Sequence, residues 1–128
     1  MSNTGIVIGL GETGRPLRDV LNTTQETAGL DLNGTVYGHF DFMNVCIPWS
    51  ESFIDTVTEY QERFEPIVTI IHSTVPIGTT KQIPGAVHSP ILGMHNDMEA
   101  SIRRYTKWIG GDSLLAQEAA IYLECAGI

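Results

Sequence analysis

The sequence predicts an α/β fold: a mostly parallel sheet, doubly wound by helices on both faces, in a single domain. Three observations predict it. The β-branched runs Ile6-Val7-Ile8 and Ile67 to His72 are nearly continuous apolar stretches rather than alternating ones, the pattern of strands buried on both faces. The stretches between such runs carry apolar residues at three- and four-residue steps, the helical period. Strand and helix patterns alternate along a chain whose 128 residues supply one hydrophobic core.

Glycines at 9, 11 and 14 follow the first strand. Pro16 then fits the first turn of a helix, where a missing N–H costs nothing. Leu17, Val20, Leu21 and Thr24 mark the inner face of that helix. Thr27 to Leu32 reads as a second strand, broken by Asn33-Gly34. The segment from Gly34 to Phe42 is too short for a helix-plus-strand crossover, so the sheet should be abbreviated around its second and third strands. Asn44 to Ile47 gives the third strand, closed by Pro48. Ser50 stands ready to cap a helix whose Phe53, Val57, Tyr60 and Phe64 fall on one stripe. Ile67 to His72 is the clearest strand, and Ala86 to His88 a shorter one. Met98, Ile102 and Tyr105 form a further helical face behind an Asp97 cap, and Lys107 to Ile109 an edge strand. Asp112 or Ser113 opens a last helix with Leu115, Ala119, Tyr122 and Leu123 inward. Gly127 sits where a helix C-terminal glycine belongs.

Composition excludes several functions. Seven Lys plus Arg against fifteen Asp plus Glu leave a net charge of −8, which repels phosphate backbones and anionic lipid. Nucleic-acid and membrane partners are therefore not expected, and no apolar run approaches the roughly 18 residues of a membrane span. With no leader-like N-terminus and only Cys46 and Cys125, the default compartment is the cytoplasm. His72, His88 and His95 lack the close spacing of metal ligands, so no metal is expected, and they read as strand-end histidines near a cleft. Ser73 has no GxSxG elbow around it. Cys125 reads as a buried structural thiol, and Met94 and Met98 as packing. Trp49, just past a strand end, reads as a pocket wall rather than core.

The chemistry concentrates at Gly9-Leu10-Gly11-Glu12-Thr13-Gly14, a GxGxxG turn after a strand and before a helix. In that context Gly9 permits the tight turn, Gly11 lets the backbone approach a pyrophosphate, and Gly14 allows close helix–strand packing. Asp31 lies 22 positions after Gly9, at the end of the second strand, where an acidic residue holds the ribose hydroxyls of a dinucleotide. NAD is accordingly expected over NADP. A methyltransferase using S-adenosylmethionine shares such a first glycine turn and stays open at this point.

Gly9 to Leu17 resembles the GxGxxGxPL start of the nucleotide-sugar 6-dehydrogenases, the UDP-glucose and UDP-N-acetylmannosamine dehydrogenase group. His72-Ser73-Thr74-Val75-Pro76-Ile77-Gly78-Thr79-Thr80 is similar to that family's STVPxGTT segment, which argues against the methyltransferase. Ser89-Pro90 stands where the family has Ser/Cys-Pro-Glu, and Ile109-Gly110-Gly111 resembles its later IGG. The resemblance covers nearly the whole chain, but only the cofactor-binding half of such an enzyme. It implies a Rossmann domain over residues 1–128, with Ile47, Pro48 and Trp49 along the cleft and Ser73, Thr74 and Val75 near the nicotinamide. It also implies NAD-dependent oxidation of a nucleotide-sugar alcohol as the parent activity. Prephenate dehydrogenases share the layout less closely.

Two departures bear on catalysis. The family's glutamate after Ser-Pro is Ile91 here, and its threonine after the fourth-strand proline is Trp49. Its cysteine nucleophile and helper lysine and asparagine have no counterpart in these residues. No catalytic residue is assigned, so a chain that binds dinucleotide without turnover, as a sensing module or a partner-dependent subunit, stays open. So do a nucleotide-sugar ligand and a homo-oligomer.

Overall fold

Five strands form one parallel sheet: β1 (Gly5–Ile8), β2 (Thr27–Leu30), β3 (Phe42–Val45), β4 (Val68–Ile71) and β5 (Ala86–His88). Their order across the sheet is β2-β1-β3-β4-β5. The structure is a computed structural model, and it describes residues 4–31, 34–91, 98, 102 and 108–128. The helices described from end to end are α1 (Gly14–Leu21), α2 (Phe53–Phe64) and α3 (Ser113–Cys125), with a 3-10 turn at Thr80–Gln82.

Alternation along the strands feeds two cores. Val7, Phe42, Val68, Ile70 and Val87 meet Leu17, Val20 and Leu21 of α1 and Ala119, Tyr122 and Leu123 of α3. Ile6, Ile8, Met43, Val45 and Ile71 meet Phe53, Val57 and Phe64 of α2 on the opposite face. Because successive side chains point to opposite faces, a strand covered on both reads as a nearly continuous apolar run. Met98 and Ile102 are helical and buried with the first core; Asp97, Tyr105 and Lys107 lie outside the described residues.

The sheet is the doubly wound order 3-2-1-4-5-6 with its third, edge strand left out. Residues 34–41 carry the chain to β3 without a strand or helix, so β2 becomes the edge. The outward backbone groups of Thr27 on this edge are covered by side chains. Arg18 Nε donates to the Thr27 carbonyl at 3.1 Å, and Asn22 Oδ1 accepts from the Thr27 N–H at 3.1 Å. These contacts blunt an edge that would otherwise template another strand.

Several expectations shift. The third strand is Phe42–Val45 rather than Asn44–Ile47, because pairing Met43 with Ile6 lets Phe42 stack on Tyr122 at 4.0 Å between centroids. The second strand ends at Leu30, and α1 ends at Leu21, leaving Thr24 in the following turn. Ser50 does not cap α2 through its side chain; Ser52 holds the cap position, and the Ser50 carbonyl accepts from Phe53 N–H at 3.0 Å. The edge strand ending at Ile109 reduces to one antiparallel bridge, His88 with Gly110, since β5 is only three residues long and Gly111 turns the chain at φ +139°. Cys125 is exposed, not buried, because Ala126 takes the inward place on the stripe of Ala119, Tyr122 and Leu123.

The last helix is fixed at both ends. Asp112 accepts from the Leu114 and Leu115 N–H groups at 3.0 and 3.2 Å. Gly127 at φ +79° lets its own N–H reach Glu124 and that of Ile128 reach Leu123, the paired bonds of a Schellman end. Tyr122 is fully buried, and a Cβ on Gly5 would lie 2.4 Å from its hydroxyl, so a glycine makes room there. Burial pushes the Tyr122 phenol up to about 12, with the Asn44 hydrogen bond pulling the opposite way. An unfolded tyrosine ionises near 10, so this stabilisation is complete below that pH and is lost as pH rises from about 10 to about 12. The loss should total roughly 3 kcal/mol, and Tyr122→Phe should abolish that alkaline decline in urea unfolding midpoints.

Candidate functional site

A cleft of about 780 Å³ opens at the C-terminal ends of the strands, where the order reverses between β1 and its neighbours. Every strand except the edge β5 sends its following residues directly into the walls: Gly9 to Thr13, Asp31, Cys46 to Trp49 and His72 to Thr74. Ile91, three positions beyond β5, and Thr56 and Tyr60 of α2 complete it.

The glycines divide the work as their surroundings dictate. Gly9 has φ +94°, and a Cβ there would meet the Cys46 carbonyl carbon and Ile47 Cγ2 at 3.0 Å. Gly14 lies outside the cleft wall; a Cβ on it would sit 1.6 Å from the Gly9 carbonyl oxygen, so α1 packs directly on the turn. At Gly11 a Cβ would meet nothing within 4 Å. That side is open to the cleft. In the first turn of α1, Arg15 N–H donates to the Gly11 carbonyl and Leu17 N–H to the Thr13 carbonyl, each at 3.1 Å, and Pro16 has no N–H to place. Leu10 partly fills the space above Gly29, whose Cβ would be 3.0 Å from it.

Asp31 follows directly on β2, is exposed, and borders the cleft, while its carbonyl accepts from Gly34 N–H at 3.0 Å. Trp49 is 41% exposed and leans on Phe53 at 5.5 Å, so it is wall rather than core. Ser73 spends its hydroxyl on the Ile47 carbonyl, tying the loops after β3 and β4 together. Val75 is not in this cleft. It turns toward the α2-side core and a separate cavity of about 530 Å³, which it shares with Ile83, Ala86 and Leu115. His88 faces that second cavity too, with Nε2 2.9 Å from the Ser73 carbonyl. His95 and Met94 lie outside the described residues.

Sequence reasoning missed Asn44. It is fully buried in the middle of β3, donating from Nδ2 to the Tyr122 hydroxyl at 3.1 Å and to the Ile6 carbonyl at 3.3 Å. Its Oδ1 lies 2.9 Å from His72 Nε2. Since Nδ2 is the donor, Oδ1 must accept, and Nε2 of His72 carries a proton. A chain of hydrogen bonds thus runs from α3 through the sheet to the cleft wall. The available signal was one amide inside an otherwise apolar strand.

The structure of UDP-D-ManNAc dehydrogenase from Pyrococcus horikoshii superposes with a TM-score of 0.83 over 95% of this chain, at 15% identity. The fold is Rossmann-type. An NDP-N-acetyl-D-galactosaminuronic acid dehydrogenase from Methanosarcina mazei matches over 99% of the chain, with TM-score 0.79 and 14% identity. Prephenate dehydrogenase from A. aeolicus, in complex with hydroxyphenyl propionate and NAD+, matches over 99% with TM-score 0.77 and 11% identity. This Rossmann domain spans 44%, 42% and 58% of those chains, respectively. No family model and no curated protein sequence matches it. Among the described residues no helix is long and apolar enough to cross a membrane.

Proposed function

We propose that this Rossmann domain binds a nicotinamide dinucleotide, NAD in preference to NADP, as the cofactor domain of a cytoplasmic oxidoreductase of the nucleotide-sugar dehydrogenase type. The observation that carries the reading is one cleft, at the switch point of the sheet, bordered by both the glycine turn and Asp31. The residues fit the group. The open side of Gly11 admits a pyrophosphate against backbone and helix start, as a side chain there would not. Asp31 accepts from the adenosine ribose hydroxyls, Ile47, Pro48 and Trp49 shield the cleft from water, and Ser73 and Thr74 border the nicotinamide end. When bound, the dinucleotide supplies a hydride acceptor at nicotinamide C4. Solved structures of nucleotide-sugar dehydrogenases among the neighbours, and the STVPIGTT resemblance, support the substrate class.

Ile91 borders the cleft where the resembled family carries its glutamate, which favours binding without turnover by this chain. Without a group positioned for the transition state, binding alone gives no acceleration. Titration calorimetry should give at least about tenfold tighter binding of NAD than NADP, because the 2′-phosphate would bring about two negative charges beside Asp31. Asp31→Ala should weaken NAD and narrow that gap. UDP-glucose and UDP-N-acetylmannosamine should give no growth of reduced-nicotinamide absorbance with this chain. Equal affinities for the two cofactors, unchanged by Asp31→Ala, would show that Asp31 does not hold the ribose.

A further inference from the structure

The cavity of about 530 Å³ that begins at Val75 shares no wall residue with the cleft. The segment from Ser73 to Val75 is the partition, with Ser73 and Thr74 bordering the cleft and Val75 the cavity. Its volume lies within the roughly 300–1,000 Å³ of small-molecule sites. The walls are mostly apolar: Ile83 and Ala86 are buried, Val75 and Leu115 half-buried. Ile77 completes the rim and is fully exposed, apolar surface that a molecule seated in the cavity would take out of water.

The polar groups of the wall sort by what already occupies them. The Asp112 carboxylate is spent on the Leu114 and Leu115 N–H groups at the start of α3. His88 directs Nε2 at the Ser73 carbonyl, 2.9 Å away, so that nitrogen is a donor already in use. The Lys81 ammonium has no ion pair or hydrogen bond among the described residues, so the one full charge left unspent in the wall is positive. The edge of β5 adds a backbone donor. Gly85 and Ser89 bond to β4 and His88 to Gly110, so Ala86 turns its N–H and carbonyl outward, as His88 does. The chain beyond Gly110 leaves them uncovered, because Gly111 turns away at φ +139°. We propose that this cavity binds a small organic acid, with a branched or aromatic body against Val75, Ile83 and Leu115 and its carboxylate toward Lys81. On a chain of net charge −8, that unspent ammonium beside an apolar hollow is what selects an anion over a cation.

The experiment titrates the whole chain with 2-naphthoate, 2-naphthamide and 2-naphthylmethylamine, one apolar body carrying a negative charge, none and a positive charge. Calorimetry gives the affinities, and backbone amide shifts in NMR give the place. Naphthoate should bind about two- to fivefold more tightly than the amide, the range for one charge contact in reach of solvent, with the amine weakest. The shifts should centre on Val75, Ile83, Ala86 and Leu115 and spare Gly9 to Thr13. Lys81→Gln should lower naphthoate to the affinity of the amide, and Ile77→Asp should weaken it by about twofold or more. Both side chains are exposed, so unfolding midpoints in urea should stay unchanged and the losses report on binding. No binding of naphthoate, equal affinity for the three probes, or full naphthoate affinity in Lys81→Gln overturns the proposal. Shifts centred on the glycine turn, which put the probe in the cleft, overturn it too. None of these outcomes touches the dinucleotide reading, which the NAD titrations test separately.

Discussion

Gly14→Ala should remove a large part of the folding stability, whereas Gly11→Ala, three residues earlier in the same turn, should fold normally. At Gly14 the added Cβ would fall 1.6 Å from the Gly9 carbonyl oxygen and 2.8 Å from its carbonyl carbon. Both are backbone atoms of the turn that joins β1 to α1, and Gly9 N–H is itself bonded to the Leu30 carbonyl at 2.8 Å. Neither partner can give way without breaking the sheet or the helix. A cost of about 4 kcal/mol or more is expected, a large fraction of the roughly 5–15 kcal/mol that holds a domain together. Helix propensity alone predicts the reverse sign, since alanine in a helix is favoured over glycine by about 1 kcal/mol. Gly11 meets no such obstacle, and its variant should keep its unfolding midpoint within about 0.5 kcal/mol. Its affinity for NAD should fall by about tenfold or more, because the methyl occupies the approach to the pyrophosphate. Urea unfolding of the two variants, with NAD titration of Gly11→Ala, checks both halves. A stable Gly14→Ala would mean that α1 does not pack on the turn.

What the sequence disclosed follows from how local the causes are. The glycine turn was legible because its requirements, a positive φ at Gly9 and no side chain at Gly14, arise within six residues. Asp31 was placed by spacing along one strand–helix–strand unit, and it borders the cleft as that spacing implies. The abbreviated sheet was legible because a parallel crossover needs chain length that the segment from Gly34 to Phe42 does not have. The third strand slipped by two positions because its register is set by Ile6 and by the Tyr122 ring, neither of them near it in sequence. Val75 left the cleft because a loop's direction after Thr74 depends on the core it meets, and a motif match cannot contain that. Cys125 misled for a similar reason. One helical position separates it from Ala126, and the resulting angle of about 100° decides which of them faces the sheet.

Asn44 is the position where a single side chain should matter most among the polar residues. Asn44→Ala would remove the donor to the Tyr122 hydroxyl and the acceptor of His72 Nε2 at once. Both groups are in the protein interior, with Tyr122 fully buried and His72 at 3% exposure, so water does not readily replace the lost amide. An unmet buried polar group costs about 1–3 kcal/mol, and two of them with a small cavity between should cost roughly 3–5 kcal/mol together. Asn44→Leu should be no milder, although it restores volume, because it leaves the same two groups without their partner. Tyr122→Phe removes only one end of the chain, and Asn44 Nδ2 keeps the Ile6 carbonyl, so its cost near neutral pH should be about 1–2 kcal/mol. The decisive quantity is the coupling. Once Asn44 is alanine, the Tyr122 hydroxyl is a liability rather than a partner, so adding Tyr122→Phe should cost little or even recover stability. A double-mutant cycle from urea unfolding should therefore deviate from additivity by about 0.5–3 kcal/mol in the sub-additive direction. Additive effects would mean that the two groups, 78 positions apart in sequence, do not form one hydrogen-bonded unit.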